Sequence, residues 1–376
     1  MSDHVKVLFL CTGVGTFNRG IETFFREAFD GLKGNIAAKL TLAKGGGPPA
    51  EDERLLWNLR RTGRAARFIG TCVRRDSYVV EQLTAFPAAV KLIREIKPEV
   101  ILYSDSNIGF QLFRWRQWIG VPYRLLFSNG GPCVPPFDRT HFVHQVAPFY
   151  LEAAMAAGEP RAKHHLVPYG IRVPDAPTRD AATIAAHRAR LGLPLHRPVV
   201  LSVGWIAKQH KRMDYVIREV ASLPQPRPYL QLLGSMDDGS REVIELGRSV
   251  LGPDGFAATS APYDAVTSYY QAADIFVLGS LAEGFGRVFL EAMMHGLPVL
   301  AHRHPVMDYV TGGQGNLGDL TKEGALASLL RTELARPQSE SSARARWHSV
   351  KERFSWQALA PAYQQMFLTC ARAELP

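Results

Sequence analysis

The 376-residue sequence lacks the marks of membrane-spanning, secreted and zinc-binding proteins. No apolar run approaches the roughly 18 residues that a membrane-spanning helix needs. The opening MSDHVKVLFLCTG has too short an apolar stretch for a signal peptide, so we interpret it as a strand. The four cysteines are scattered without a CxxC pair, which predicts neither a disulfide framework nor a metal site. These absences favour a soluble cytoplasmic protein.

Sequence patterns of nucleic-acid-binding modules are also missing, so we expect no nucleic-acid partner. The net charge is nevertheless +9, and residues 1–172 hold 23 Lys and Arg against 15 Asp and Glu, so +8 falls in the first half. A basic half attracts anionic lipid head groups or phosphorylated substrates. The cluster FRWRQW (residues 113–118) fits a peripheral membrane contact or a helix with core-facing aromatics and snorkelling arginines. Both interpretations stay open.

The most informative stretch is EGFGRVFLEAMMHG, residues 283–296. A buried strand is predicted just before it, and a glycine turn then leads into a helix that ends near Gly296. A turn of this kind offers backbone N–H groups and the positive end of the helix dipole to an anion. Glu283 precedes the helix and Glu291 lies roughly 6 Å along it. Acidic groups that flank a phosphate site usually bind sugar hydroxyls, so the stretch predicts a nucleotide-sugar ligand.

Strand and helix signals alternate along both halves of the chain, which predicts parallel sheets covered by helices. The first strand leads into a loop with glycines at 13, 15 and 20, which is not the G-x-G-x-x-G spacing of a dinucleotide site. We predict further strands at residues 66–71, 100–103 and 124–127, and helices at 86–96 and 109–118. A proline-containing linker follows residue 172, and the pattern of strand, glycine, loop and helix starts again at Pro198. In this half we predict strands at 199–203, 229–233, 273–278 and 298–301, and a helix at 211–223.

Four motifs in this order resemble the retaining GT-B glycosyltransferases of glycosyltransferase family 4. They are YYQAAD (269–274), EGFG (283–286), LEAM (290–293) and GLPV (296–299), with further similarity in HKRMDY (210–215), VPYGI (167–171), RGIE (19–22) and FSW (354–356). The resemblance implies an α/β fold of two Rossmann-like domains that face each other across a cleft. The expected boundaries are 1–172 for the acceptor domain, 173–354 for the nucleotide-sugar domain, and 355–376 for a C-terminal helix that crosses back to the first domain.

The resemblance also implies roles for single residues. Glu291 would bind the ribose hydroxyls of the nucleotide, Glu283 the transferred sugar, and Lys211 the leaving diphosphate. The implied donor-binding set is Gly13, Gly15, Gly204, Ser235, Gly284, Phe285, Gly286, Arg287, Val288 and Glu291, and the candidates for the acceptor or its sugar are Asn18, Arg19, Asn129 and His144. Family members generally need no divalent metal or cofactor, and they retain the anomeric configuration of the transferred sugar.

The chain departs from the family pattern at two positions. Trp205 stands where the family usually has an Arg, which leaves Lys211 as the main cation, with Lys208 or Arg212 as stand-ins. Asn129 stands where the family often has a His, and an amide does not titrate near neutrality. Three functions therefore remain open: transfer of a hexose-type sugar from a UDP-, GDP- or similar donor to a glycan, lipid-linked or small-molecule acceptor, nucleotide-sugar epimerisation, and nucleotide-sugar binding without catalysis.

Overall fold

The computed structural model describes residues 4–17, 19–131, 133–337 and 339–374, which form two compact units. The first unit combines residues 1–172 with 354–376, and the second spans 173–353. Each is an α/β unit built on a parallel sheet, and this confirms the predicted fold class of two Rossmann-like domains.

The first unit holds a seven-stranded parallel sheet in the order β3-β2-β1-β4-β5-β6-β7. Its strands are β1 (Val5–Cys11), β2 (Ala38–Lys44), β3 (Glu53–Leu55), β4 (Val100–Tyr103), β5 (Arg124–Asn129), β6 (Phe142–Gln145) and β7 (His164–Leu166). Its helices are α1 (Gly20–Leu32), α2 (Arg64–Cys72), α3 (Ser77–Ile96), α4 (Ser106–Arg114), α5 (Arg116–Ile119) and α6 (Pro148–Ala156), with a 3-10 turn at Arg161–Lys163. The central strand β4, with the sequence VILY, is buried along its whole length, as expected where helices cover both faces of a parallel sheet.

The second unit holds a six-stranded parallel sheet in the order β10-β9-β8-β11-β12-β13. Its strands are β8 (Val199–Val203), β9 (Tyr229–Leu233), β10 (Phe256–Thr259), β11 (Ile275–Val277), β12 (Val299–His302) and β13 (Asn316–Gly318). Its helices are α7 (Ala181–Leu191), α8 (Met213–Ala221), α9 (Ser240–Leu251), α10 (Tyr263–Ala272), α11 (Arg287–Met294), α12 (Pro305–Thr311), α13 (Ala325–Leu334) and α14 (Glu340–Phe354), the last of which ends at the unit boundary.

The last helix, α15 (Trp356–Arg372), packs on the first unit. Its Phe367 ring lies 5.9 Å from Phe9 of β1, edge to face. Two glycines make room for the Trp356 ring, since a Cβ at Gly31 or Gly170 would fall 2.3 Å or 2.6 Å from its atoms. Among the described residues, no helix is both long and apolar enough to cross a membrane.

The prediction of a strand at residues 66–71 is wrong, because this stretch lies within α2. A short apolar run is ambiguous between strand and helix when it is judged by periodicity alone. Here Ala66 and Gly70, one helical turn apart, are buried while their neighbours are exposed. The helix predicted at 109–118 is also divided, into α4 and α5, and the one predicted to start at residue 211 begins at Met213.

Both sheets change strand order at a defined point. Each sheet starts with an inner strand, β1 or β8, and first adds strands on one side of it. The following strands are added on the other side, so the winding direction reverses between β1 and β4 in one sheet and between β8 and β11 in the other. In open α/β sheets, ligands bind outside the carboxyl ends of the strands at such a switch. The fold therefore predicts ligand binding at the loops after β1, β4, β8 and β11.

Candidate functional site

Glycines stand at the carboxyl ends of three adjacent strands in the second unit. A Cβ at Gly234, after β9, would lie 1.8 Å from the carbonyl oxygen of Gly204, which follows β8. A Cβ at Gly279, after β11, would lie 2.8 Å from the Arg212 carbonyl oxygen. The backbones after these strands can approach each other only because side chains are missing, and they form the floor of the switch point.

Lys211 reaches across the switch point. Its ammonium group donates a 2.6 Å hydrogen bond to Oε1 of Glu283, which ties the loop after β8 to the loop after β11. Both side chains are largely buried, with 17% of Lys211 and 9% of Glu283 exposed. His210 and Arg212, on either side of Lys211, both have left-handed backbones with φ of 58° and 48°. Strain of this kind costs about 1–3 kcal/mol per residue and persists only where the surroundings hold it, so the position of Lys211 is closely determined.

The two cations predicted as stand-ins for phosphate binding are engaged elsewhere. The Arg212 guanidinium donates to the carbonyl oxygens of Gly279 and Leu320, at 3.2 Å and 2.8 Å. Lys208 is half exposed and forms an ion pair with Glu242. Trp205 projects partly into solvent, with 44% of its surface exposed. Of the three cations of this loop, Lys211 is therefore the one that these contacts leave at the switch point.

The turn before α11 takes the predicted course. Gly286 has φ of 76°, a conformation that glycine adopts freely, and the helix begins at the next residue, the buried Arg287. Phe285 is buried and anchors the turn, while Gly284 and Val288 are half-buried. The hydroxyl of Ser280, earlier in the same loop, is buried and finds no hydrogen-bond partner within the described part of the chain. This edge of the sheet therefore has hydrogen-bonding capacity that the protein itself does not use.

A tyrosine that sequence reasoning did not select as a site residue holds Glu291. The Tyr270 hydroxyl donates to Oε2 of Glu291 at 3.0 Å, and the Tyr270 ring stacks on His295 with the ring centroids 5.7 Å apart. Burial, assisted by the charge of Arg179, lowers the pKa of His295 to about 4. Tyr270 belongs to the YYQAAD motif, so the sequence showed the motif but not that its second tyrosine contacts Glu291.

The structure thus brings several predicted residues together in the second unit. Lys211 contacts Glu283, and the Lys211 side chain passes within 3.3 Å of the position that a Gly204 Cβ would occupy. The Ile206 N–H donates to the carbonyl oxygen of Ser235, which draws the loop after β9 to the same place.

In the first unit, a polar network occupies the matching switch point. The backbone N–H and the hydroxyl of Thr12, after β1, both donate to Asp105, after β4, at 3.2 Å and 3.0 Å. The same hydroxyl lies 3.2 Å from a Glu81 oxygen, and Glu81 in turn accepts from the Arg61 guanidinium at 2.5 Å. The Tyr78 hydroxyl donates to the other Asp105 oxygen at 2.6 Å. Sequence reasoning missed this network, although a polar residue so soon after the buried strand at 100–103 was a usable signal.

The glycine loop after β1 packs closely against two other parts of the first unit. Gly13 packs against the carboxyl group of the buried Glu22, where a Cβ would fall 2.3 Å from Oε1. Gly15 has φ of 80°, and its Cβ would strike the Gly46 carbonyl oxygen at 2.1 Å. The GGG run at residues 45–47 is thus the surface against which this loop packs. The roles of Gly13 and Gly15 toward a donor stay predictions.

The four acceptor candidates also belong to the first unit. Arg19 is exposed, with its guanidinium 5.4 Å from the Phe17 ring centre, while Asn18 lies outside the described residues. Asn129 is buried, and its amide is shared between the Cys133 backbone and the Gln145 side chain.

His144 is fully buried in the first unit. Its Nε2 donates to the Val167 carbonyl oxygen at 2.7 Å, which leaves Nδ1 to accept from the Ser128 hydroxyl at 3.1 Å. Burial lowers the pKa of His144 to about 4. In this placement both ring nitrogens are engaged with the protein.

His144 makes stability depend on pH. Its pKa is about 4 in the folded protein against about 6.5 in an unfolded chain, so the unfolded chain takes up the proton first as the pH falls. The free energy of unfolding should be fully present above about pH 6.5 and should then decline by up to about 1.4 kcal/mol per pH unit from this residue until about pH 4. Urea unfolding across this range should show a shallower decline for His144→Gln than for the wild type. Identical slopes would contradict the assignment.

Most of the second unit is similar to a known protein family. Residues 197–334 match the family model "Glycosyl transferases group 1". The match covers β8 to α13 and includes Lys211, Glu283 and Glu291.

Curated relatives of the chain include two bacterial proteins. The lipopolysaccharide core biosynthesis glycosyltransferase LpsE of Rhizobium meliloti (strain 1021) is 30% identical over 199 residues, which cover 52% of this chain and 57% of LpsE. The D-inositol 3-phosphate glycosyltransferase of Xylanimonas cellulosilytica is 30% identical over 217 residues, covering 54% of this chain and 50% of that protein. The chain thus spans about half the length of the curated relatives it matches.

Solved structures resemble the chain over nearly its whole length. Anabaena HepE in complex with UDP and glucose superposes with a TM-score of 0.74 at 17% identity, covering 97% of this chain and 100% of HepE. The sucrose-phosphate synthase of Thermosynechococcus elongatus gives 0.74 at 19% identity, covering 97% of this chain and 98% of the synthase. At such identities the likeness shows the fold, which is that of GT-B glycosyltransferases.

Proposed function

We propose that this protein is a metal-independent retaining glycosyltransferase that binds a nucleotide sugar in its second unit. The contact between Lys211 and Glu283 carries the proposal, because it places a buried cation and a carboxylate together at the switch point of a Rossmann-like sheet. The match of residues 197–334 to the glycosyl transferases group 1 model and the names of the curated relatives support a glycosyltransferase enzyme.

The donor would be held by chemically distinct groups. The diphosphate would meet the Lys211 ammonium and the N–H groups at the start of α11, where the helix dipole is positive. Glu291, oriented by the Tyr270 hydroxyl, would accept hydrogen bonds from the ribose, and Glu283 would do the same for the transferred sugar. Structures of HepE with UDP and with UDP-glucose support a nucleotide sugar, and we place UDP-sugars first among the donors.

In the proposed reaction, the bond between the anomeric carbon and the phosphate oxygen breaks, and the acceptor oxygen forms the new bond on the same face of the sugar. The acceptor hydroxyl proton passes to the leaving diphosphate, which departs as the nucleoside diphosphate. Lys211 stabilises the negative charge that grows on the leaving group. Electrostatic stabilisation of this kind is usually the largest single contribution to enzymatic rate enhancement. A chelator should therefore leave transfer unchanged.

The acceptor is a hydroxylated glycan, lipid-linked or small molecule that the first unit would bind. We place the protein in the cytoplasm with peripheral contact to a membrane. The two alternatives are separable by one product assay: an epimerase changes the donor sugar without moving it, and a silent binding protein neither transfers nor hydrolyses the donor.

Donor binding can be tested by thermal shift with UDP-, GDP-, ADP- and dTDP-sugars. A ligand at about 100 times its Kd adds roughly 2.7 kcal/mol, which corresponds to a rise of about 5–10 °C in Tm for units of this size. We expect one base to stand out, and Glu291→Ala to abolish the rise without changing the Tm of the free protein by more than a few degrees.

The matched control is Glu352→Ala, which removes an exposed glutamate of α14 in the same unit. It should respond to the donor as the wild type does. An unchanged shift in Glu291→Ala, or no shift with any nucleotide sugar, would contradict the proposed donor site.

A further inference from the structure

The first unit carries a strongly basic segment that the proposed reaction does not use. Residues 54–75 contain seven arginines and no aspartate or glutamate. Six of them are exposed, and none of the six lies within ion-pairing distance of a carboxylate among the described residues: Arg54, Arg60, Arg64, Arg67, Arg74 and Arg75. The segment therefore presents positive charge that the protein does not neutralise.

The same segment exposes large apolar side chains. Trp57 is 68% exposed, Phe68 70% and Val73 55%, and Leu55 and Ile69 are exposed as well. Scattered single apolar residues are normal on a surface, but several of them within one short stretch mark an interaction site.

Helix α2 shows how the two kinds of side chain are arranged. Ala66 and Gly70 are buried one turn apart and define its inner face. At 100° per residue, Phe68 lies on the opposite side of the helix, with Arg64 and Arg67 beside it. The outer face of α2 thus has an aromatic ring at its centre and guanidinium groups along one flank.

The segment is fixed to the unit by hydrogen bonds. The Leu59 N–H donates to the Thr84 hydroxyl at 3.0 Å, and the Arg61 N–H donates to Glu81 at 2.8 Å. Arg61 is the one arginine of the seven whose side chain is held by Glu81, and it belongs to the polar network at the switch point. Both anchors lie on α3, so α2 is presented on a defined support.

The FRWRQW cluster differs from this segment. Trp115 and Trp118 are exposed, but Arg116 donates to the Phe113 carbonyl oxygen at 2.7 Å and Arg114 lies against the Trp115 ring. The arginines of this cluster thus contact other residues of the cluster, whereas the six exposed arginines of residues 54–75 form no ion pair with a carboxylate in the described part of the chain.

We propose that residues 54–75 dock the first unit onto the surface of an anionic lipid bilayer. Arginines attract the negative head groups, while Trp57, Phe68 and Val73 enter the boundary between head groups and acyl chains. A nucleic acid would engage the arginines but would leave the aliphatic side chains in water, so a bilayer matches both features of the surface. The proposal does not depend on sugar transfer.

The experiment is sedimentation of the full chain with phosphatidylcholine vesicles, with and without phosphatidylglycerol. We expect binding to the anionic vesicles only, with a decline as salt is raised because screening weakens surface charges. Arg64→Glu/Arg67→Glu should weaken the partition coefficient by on the order of tenfold or more, since basic residues near an anionic surface each contribute to binding. Phe68→Ser should weaken binding as well while leaving the charge unchanged.

Two controls match these variants in the second unit. Arg218→Glu/Arg331→Glu makes the same change of net charge on exposed helix positions, and Leu195→Ser removes an exposed apolar side chain. Both should bind vesicles like the wild type, and Tm values should show that all variants fold. The proposal is overturned if the wild type binds neutral and anionic vesicles equally well, or if it binds neither kind. It is overturned as well if the charge reversals in α2 and those in the control weaken vesicle binding to the same extent. It is also overturned if Phe68→Ser has no effect while the arginine pair governs binding to a DNA oligonucleotide, which would indicate a polyanion site.

Discussion

We expect Lys211→Ala to transfer sugar about a hundred- to a thousandfold more slowly than the wild type, which is the usual loss when one preorganised group that stabilises developing charge is removed. Of the three cations in the loop after β8, which are Lys208, Lys211 and Arg212, Lys211 is the one directed at neither a backbone carbonyl nor a surface partner. Its ammonium lies 2.6 Å from Glu283 and is largely buried, so a phosphate there would interact with it in a medium of low polarity. The measurement is the initial rate of product formation with the donor found by thermal shift.

Lys208→Ala is the matched control, because Lys208 lies in the same loop but pairs with Glu242 at the surface. It should retain nearly full activity. The Lys211 variant also leaves the Glu283 carboxylate without its cation, so Tm must be compared in both variants to separate lost chemistry from lost folding. If the folded Lys211→Ala protein kept full activity, the proposed role of Lys211 would have to be abandoned.

The architecture was predictable because it follows from local patterns. Buried parallel strands such as Val199–Val203 and Val100–Tyr103 are short apolar runs followed by turn residues, and their signal does not depend on distant parts of the chain. The turn at Gly284–Gly286 could be predicted for the same reason, since glycine spacing and the following helical period are both local. The prediction of a strand at residues 66–71 failed because the burial of Ala66 and Gly70 against α3 favours a helix there.

The site was only partly predictable, because its decisive contacts join residues far apart in sequence. Nothing local to Glu283 shows that Lys211, 72 residues away, reaches it. The Tyr270 hydroxyl that orients Glu291 and the contact of Gly234 with Gly204 are of the same kind. A family resemblance could suggest the residues, but only the sheet order shows that their loops meet.

Replacing Gly234 by alanine should be the most destabilising small substitution in the second unit. The added Cβ would lie 1.8 Å from the carbonyl oxygen and 2.6 Å from the carbonyl carbon of Gly204, so backbone atoms rather than a flexible side chain must move. The φ of 156° adds strain, since L-residues rarely adopt it. Overpacking and backbone strain each cost about 1–3 kcal/mol, so we expect a loss of about 3 kcal/mol or more in the free energy of unfolding by urea.

Gly192→Ala separates the destabilisation caused by the close contact from the destabilisation caused by backbone strain. Gly192 ends α7 with φ of 66°, and a Cβ there would meet no atom within 4 Å, so the variant should lose only about 1–2 kcal/mol. The two variants should differ in donor binding as well, because moving Gly204 displaces the loop that carries Lys211, whereas α7 contributes nothing to that loop. If Gly234→Ala were no less stable than Gly192→Ala and bound the donor equally well, the close contact of the β8 and β9 ends would not be what holds Lys211 at the switch point.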